Sequence, residues 1–156
     1  MKVERIFTPD VVRAERSTPL TQAAALMRDR HVGALLVTED RPFDARLLGI
    51  VTDRDLVIGA MAEGVAPQEC TVGALMTPAL ATVARSAGLG EALETMRSRG
   101  VRRLIVVEHD GSLAGIISLD DIVDALGAEL AGLSGIVHSE LEREMARTTR
   151  AGTARA

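Results

Sequence analysis

Hydrophobic and polar positions form two kinds of segment along the chain. In one kind the apolar residues have the spacing of a helix, and in the other they form short runs with the composition of strands. Over 19–30 and 88–99 the apolar residues lie three or four positions apart, which predicts two amphipathic helices. Short runs rich in Val, Ile and Leu, separated by turns with Asp, Gly or Pro, predict two β-hairpins, 34–38 with 47–52 and 104–107 with 113–118. A further helix follows each hairpin, over 53–62 and 119–131.

The remaining short segments complete this outline. Extended pieces at 11–12 and 80–83 precede the first helix of each half. Ser17 or Thr18 is expected to cap the first helix, with Pro19 in its first turn. Thr71 is expected to cap a short turn over 72–76.

The chain repeats itself at a fixed offset. Residues 8–39 and 77–108, which lie 69 positions apart, share thirteen identities, among them the Thr-Pro and Arg-Ser pairs. After residue 39 the offset falls to 66, and GIVTDRDLV at 49–57 lies on GIISLDDIV at 115–123. The difference falls near 41–43, where a turn tolerates an insertion. The chain is therefore a tandem duplication.

The repeat predicts an α+β fold in which β-α-β-β-α occurs twice. Because a unit of about 50 residues buries too little apolar surface alone, we expect the two copies to pack together with pseudo-twofold symmetry and to form two clefts. The predicted organisation is a first domain over 5–62, a linker over 63–71, a second domain over 72–131 and a helical tail over 132–156.

Composition narrows the class of protein. Of 156 residues, 47% are hydrophobic and 26% charged, which excludes a wholly disordered chain and a fibrous protein. The net charge of -4 argues against a protein that neutralises nucleic-acid backbones. With two Phe and neither Trp nor Tyr, a surface that stacks bases on aromatic rings is also unexpected.

The cellular setting is predicted from the cysteine count and the apolar runs. A single cysteine, Cys70, cannot form an internal disulfide, which favours a reducing compartment. The N-terminus has no apolar stretch of signal-peptide length, and no run approaches the roughly 20 apolar residues that span a bilayer. We expect a cytoplasmic protein without membrane or nucleic-acid partners.

A hydroxyl and a carboxylate recur where the last strand of each copy meets its last helix. Thr52 and Asp55 hold these positions in the first copy, and Ser118 and Asp121 in the second. A hydroxyl beside the free N–H groups of a helix start suits a phosphate, and a carboxylate one turn later can accept from both hydroxyls of a ribose. The same pattern is also a capping box, which stabilises a helix by about 1 kcal/mol and needs no ligand.

The repeated order of elements, with T/S-x-x-D following Gly-Ile-Val/Ile twice, resembles the cystathionine β-synthase (CBS) domain pair, or Bateman module, over roughly 5–130. The resemblance implies a regulatory sensor that binds AMP, ADP, ATP, NAD or S-adenosylmethionine and that often pairs into a dimer. It places phosphate and ribose at the two T/S-x-x-D motifs, and adenine among apolar strand residues. The residues so implied for adenine are Val32, Gly33, Ala34 and Leu35 in one cleft and Val83, Val101, Arg102, Arg103 and Leu104 in its counterpart.

Arginines distinguish the two copies. Arg54 lies inside the first motif, where the second has Asp120, whereas Arg102 and Arg103 stand where the first copy has Gly33 and Ala34. A guanidinium suits phosphate through its fork of donors. We expect the arginines to be divided between two clefts of different affinity; each could equally be a solvated surface charge.

Signs of catalysis or a metal site are few. The histidines, His31, His109 and His138, show no metal-ligand spacing, and His31 is expected to cap a helix C-terminus. Neither a nucleophile elbow nor a phosphate loop is present. Beyond the repeats, an apolar stripe runs along a predicted helical tail: Leu126, Leu130, Leu133, Val137, Leu141 and Met145. It is expected to pack on its own module or on a second subunit.

The sequence thus predicts a non-enzymatic, homodimeric regulatory module. Its ligand is expected to be an adenine nucleotide, with AMP or ATP favoured, and no other cofactor is required. Occupancy would be transmitted to an unidentified effector protein. The alternatives are a structural dimerisation or docking module without a ligand, and a regulatory subunit of a separate enzyme or transporter.

Overall fold

The computed structural model describes residues 1–40 and 46–133. It divides into one compact unit, Met1–Ile117, and a second that begins at Ser118. In the first copy the elements are β1 (Arg13–Glu15), α1 (Leu20–Arg30), β2 (Ala34–Thr38), β3 (Leu47–Thr52) and α2 (Asp53–Leu56), which continues as a π-helical segment, Val57–Met61. In the second copy they are α3 (Val72–Leu75), β4 (Thr82–Ala84), α4 (Leu89–Arg99), β5 (Arg103–Val107), β6 (Leu113–Ser118) and α5, described over 119–133.

Each copy builds a three-stranded sheet with the same order. Strand β1 runs parallel to β2, with Arg13 opposite Leu36, and β2 pairs antiparallel with β3. In the second sheet β4 runs parallel to β5, with Thr82 opposite Ile105, and β5 pairs with β6. The α+β architecture and its duplication are therefore confirmed.

Equivalent positions are buried in the two copies. The central strand β2 is buried at Leu35 and Val37, and β5 at their repeat equivalents, Leu104 and Val106. Helix α1 buries Leu20, Ala23 and Met27, and α4 buries Ala92 and Met96 at the last two of these positions. The helical periodicity thus marks the core face of α1 and of α4, whereas β2 and β5 are buried on both faces, because Leu36 and Ile105 are buried as well.

A short segment with the repeated Thr-Pro pair, at 8–9 in the first copy and at 77–78 in the second, pairs with the last strand of the other copy. We call it the exchanged segment. Thr8 forms a bridge with Ile116, and its repeat equivalent Thr77 forms one with Ile50. The contact is close, because a Cβ built on Gly49 would lie 2.6 Å from the carbonyl oxygen of Thr77. This exchange brings the segment after α3 against β3, where the first T-x-x-D motif begins.

Helix α1 begins one residue later than the sequence suggests. Its N-cap is Pro19, which provides no side-chain hydrogen bond, so the expected caps Ser17 and Thr18 were wrong. Proline supplies the extended backbone that a helix N-cap needs (φ -61°, ψ 149°) without a side-chain acceptor. The capping role of His31 is confirmed: it ends α1 in the left-handed region, and its N–H donates to the carbonyl of Arg28.

The short elements are shifted slightly along the chain. Strands β1 and β4 begin two residues later than expected, and β4 overlaps the expected piece at Thr82 and Val83. Thr71 is the N-cap of α3, although its side chain makes no capping bond. Among the described residues, no helix combines the length and apolarity needed to cross a membrane.

The apolar stripe of the predicted tail is exposed where the structure describes it. Leu126, Leu130 and Leu133 of α5 are 39%, 66% and 61% exposed. The rest of the stripe, Val137, Leu141 and Met145, and the expected tail beyond 133 lie outside the described residues.

Candidate functional site

The T-x-x-D motif at the start of α2 forms a complete capping box. The carboxylate oxygen Oδ2 of Asp55 accepts from the backbone N–H and from the hydroxyl of Thr52, both at 2.8 Å. In return the Thr52 hydroxyl oxygen accepts the N–H of Asp55 at 3.3 Å. The second carboxylate oxygen, Oδ1, has no hydrogen-bond partner among the described residues.

The same local structure occupies the first N–H groups of α2. The N–H of Asp53 donates to the carbonyl of Gly33 at 3.2 Å, and the N–H of Arg54 donates to the Asp53 carboxylate at 2.8 Å. With Asp55 bonded to Thr52, the first turn of this four-residue helix has its donors satisfied within the protein. A phosphate here would therefore rely on side chains rather than on the helix backbone.

The motif opens onto a cavity of about 520 Å³ that is built from both copies. Such a volume lies within the range of small-molecule sites. The first copy contributes the end of β3 and the start of α2, and the second contributes the segment before β4 and the start of β5. The lining residues are Ile50, Thr52, Asp53, Arg54, Asp55, Thr77, Ala79, Leu80, Ala81, Gly100, Val101, Arg102, Arg103 and Ile105.

Six of the fourteen sequence-predicted site residues line this one cavity: Thr52, Arg54, Asp55, Val101, Arg102 and Arg103. Six others do not line it. Leu35, Val83 and Leu104 are buried in their sheets, and Val32 packs against the core of the first copy. Gly33 and Ala34 lie at the start of β2, where Gly33 is the immediate neighbour of Arg103 and Asp53. That these six contact adenine stays a prediction without support from this cavity.

The remaining two predicted residues repeat the capping box in the second copy. Asp121 Oδ2 accepts from the Ser118 backbone N–H at 2.7 Å and from its hydroxyl at 2.6 Å, and the Asp121 N–H returns to the Ser118 hydroxyl oxygen at 3.2 Å. The two motifs are thus alike in local geometry. The two motifs differ in the charged residue that they enclose, which is Arg54 in the first copy and Asp120 in the second.

The arginines are arranged differently from our expectation that they would be divided between two clefts. Arg54, Arg102 and Arg103 all line the same cavity. The exchange of the segments between copies explains this, since it sets the start of β5 beside the motif of the other copy.

Sequence reasoning missed part of the lining. The apolar surface comes from Ile50, Leu80 and Ile105, and Asp53 adds a second carboxylate. The signal that could have identified Leu80 is the repeated Thr-Pro pair at 8–9 and 77–78, which marks the exchanged segment. The inward direction of Ile50 and Ile105 depends on which face of each sheet meets the other copy, and the sequence does not encode this locally.

Comparisons with known proteins agree with this architecture. The family described as CBS domain matches residues 3–60 and again 72–128. Hypoxic response protein 1 of Mycobacterium tuberculosis is 40% identical over 104 residues, which are 66% of this chain and 69% of the relative. An uncharacterized protein of Methanopyrus kandleri is 28% identical over 79% of this chain, and the match spans 61% of that longer relative.

Solved structures show the same fold. The crystal structure of Hypoxic Response Protein I, with two coordinated zinc ions, matches with a TM-score of 0.66 at 34% identity, covering 80% of this chain and 98% of that one. A CBS-domain protein of Agrobacterium tumefaciens matches with a TM-score of 0.72 at 30% identity, with the same coverage. In the described part of the present chain, no group of three or more His, Cys, Asp or Glu side chains is placed to hold a metal ion.

Proposed function

The chain belongs to the CBS domain family, and on that premise we propose that it is a regulatory module that binds an adenine nucleotide in the cavity beside α2. The observation that carries this proposal is the chemistry gathered in one cavity. A carboxylate with an available oxygen, an apolar wall and three guanidinium groups lie around a space of about 520 Å³.

Each part of the nucleotide has a matching group. Asp55 Oδ1 is available to accept from ribose hydroxyls, while Oδ2 is held by Thr52, which fixes the direction of the carboxylate. Ile50 and Leu80, which are half-buried, offer an apolar surface for the base, and the nearly buried Ile105 completes the apolar lining. The guanidiniums of Arg102 and Arg103 provide donors for phosphate oxygens.

The proposed action is binding without chemical change. The cavity is lined by segments of both copies, so a ligand that contacts both favours conformations in which the copies are held together. An effector protein that distinguishes these conformations would read the occupancy of the site. We place this activity in the cytoplasm.

Self-association is part of the proposal. The π-helical segment after α2 exposes Val57, Ile58 and Met61, which are 53%, 50% and 69% exposed in the single chain. A group of exposed apolar side chains is typical of an interaction surface. We propose that this surface, named here the π-segment face, contacts a second copy of the chain.

Isothermal titration calorimetry with AMP, ADP, ATP, NAD and S-adenosylmethionine tests the ligand proposal. We expect saturable heat from at least one adenine nucleotide, and we expect Asp55→Ala to weaken its binding at least roughly tenfold. No heat from any of these compounds at millimolar concentration would contradict the proposal.

A structural module without a ligand is the second candidate, and the complete capping boxes favour it. On this alternative Thr52 and Ser118 serve only to begin helices. Asp55→Ala would then lower the free energy of unfolding with no binding to lose.

A further inference from the structure

The side chains of the cavity's arginines have no partners among the residues that the structure describes. Arg54, Arg102 and Arg103 make no side-chain hydrogen bond or ion pair with any of the described residues, although other arginines do, such as Arg85 with Glu108 at 2.6 Å. The Asp53 and Asp55 carboxylates of the same cavity balance these charges only in part, so an anion that enters the cavity meets an excess of positive charge. We infer that this cavity selects an adenosine di- or triphosphate over a monophosphate, and that the chain holds one such site.

The charge of the cavity supports more than one phosphate group. Each guanidinium carries one positive charge and binds phosphate oxygens through parallel N–H···O bonds, whereas the phosphate of AMP brings about two negative charges. Each further phosphate of ADP or ATP adds negative charge that can lie against another guanidinium. The attraction to the three arginines therefore grows from AMP to ATP.

The carboxylates of the cavity leave phosphate binding to the arginines. Asp53 and Asp55 line the same space as the three arginines, so the five side chains carry a net charge of +1. Each carboxylate repels an approaching phosphate, and the backbone N–H groups at the start of α2 are already bonded within the protein. Phosphate binding therefore depends on the guanidiniums, and a chain of two or three phosphates reaches more of them than a single phosphate does.

Gly33 provides room for the guanidinium of Arg103. A Cβ built on Gly33 would lie 3.1 Å from Arg103 Nη2 and 3.2 Å from Asp53 Oδ2. A Cβ at this position would require both charged groups to shift by a few tenths of an ångström. Gly33 thus leaves room for both side chains, although it does not line the cavity itself.

The repeat shows why one site per chain is expected. The positions equivalent to Arg102 and Arg103 in the first copy are Gly33 and Ala34, and the position equivalent to Arg54 in the second copy is Asp120. The three guanidiniums are therefore not duplicated along with the T/S-x-x-D motif. A second polyphosphate site of the same kind cannot be built from the equivalent residues.

Calorimetry of the full chain in a buffer without divalent cations tests this inference, which rests on the function proposed above. The ligands are adenosine, AMP, ADP, ATP and inorganic tripolyphosphate, and the variants are Arg102→Gln, Arg103→Gln and the control Arg30→Gln. Arg30 is an exposed arginine in the last turn of α1 and does not line the cavity. Circular dichroism checks that each variant folds.

We expect one ATP per chain and an affinity for ADP and ATP at least roughly tenfold above that for AMP. Arg102→Gln and Arg103→Gln should each weaken ATP binding by about tenfold and AMP binding less, whereas Arg30→Gln should bind as the unaltered chain does. Added salt should weaken ATP binding more steeply than AMP binding, because more charge contacts are screened.

The outcomes separate this inference from the proposed function. Equal affinities for AMP and ATP, two ATP molecules per chain, or ATP binding unaffected by both arginine variants would overturn the inference and leave nucleotide sensing intact. Tripolyphosphate binding as tightly as ATP would support the polyphosphate site and overturn nucleotide sensing. Binding of none of the five ligands would overturn this inference, and with no heat from NAD or S-adenosylmethionine it would overturn the proposed function as well.

Discussion

Asp55→Ala and Asp121→Ala form a matched pair, because they remove the same hydrogen bonds from two equivalent capping boxes. Each carboxylate oxygen Oδ2 accepts one N–H and one O–H, at 2.8 and 2.8 Å for Asp55 and at 2.7 and 2.6 Å for Asp121. Thr52 and Ser118 keep their hydroxyls for the helix N–H. The two variants thus differ in the charges around the motif rather than in the local bonds lost.

The expected loss of stability follows from those bonds. Each contributes about 1 kcal/mol net, and the freed groups are partly exposed, so water replaces part of what is lost. We therefore expect each variant to lower the free energy of unfolding by about 1–2 kcal/mol. Unfolding by urea, followed by far-ultraviolet circular dichroism since the chain has no Trp, measures this.

Although we expect the two variants to lose similar amounts of stability, we expect them to differ in their affinity for ATP. Asp55→Ala loses the ribose acceptor in the arginine-lined cavity and should bind ATP at least roughly tenfold more weakly. Asp121→Ala should bind ATP as the unaltered chain does, since its motif does not contribute to that cavity's lining. Equal loss of ATP binding in both variants, or none in Asp55→Ala, would refute this reasoning.

Three further predictions concern packing, association and a surface carboxylate. Gly49→Ala should lower the free energy of unfolding by about 1–3 kcal/mol because its Cβ meets a backbone carbonyl of the exchanged segment, while Gly90→Ala, in open space, should not destabilise the chain in the same urea titration. Met61→Glu should weaken self-association in sedimentation equilibrium by charging the π-segment face, and an unchanged dimer would exclude that face. Hydrogen bonds from Ser112 lower the pKa of Asp110, so they stabilise the fold at neutral pH and are lost as the pH falls through that lowered value. Ser112→Ala should raise the pKa of Asp110 toward its ordinary value in a carboxyl NMR titration, and no change would exclude this cause.

The duplication made most of the fold predictable. The main helices and strands predicted in one copy were predicted again at the equivalent positions of the other, which supported each assignment. The antiparallel pairing of β2 with β3 and the C-cap at His31 depend on neighbours in sequence, and both were confirmed.

The exchanged segments could not be predicted in the same way. The bridges of Thr8 with Ile116 and of Thr77 with Ile50 join residues of different copies. The apolar pieces at 11–12 and 80–83 predicted these strands two residues too early, since the pairing with β2 and β5 begins at Arg13 and at Thr82. Such pairing is decided by tertiary contacts rather than by local propensity.

In the candidate site, too, some residues could be predicted from the sequence and others could not. Thr52, Asp55 and the arginines stand out because polar groups at a strand-to-helix junction are easily recognised in sequence. Apolar lining residues are not distinguishable by type from core residues, so Leu35 and Leu104 were chosen although both are fully buried. Only the meeting of the two copies reveals that Ile105 lines the cavity instead.

Photolabelling with 8-azido-ATP, mapped by mass spectrometry, tests the central claim most directly, because the reactive group sits on the adenine ring. The account predicts that the label is found on peptides containing the apolar lining of the cavity, near Ile50, Leu80 or Ile105, and that excess ATP prevents it. Labelling confined to other peptides, or labelling that ATP does not suppress, would contradict the account.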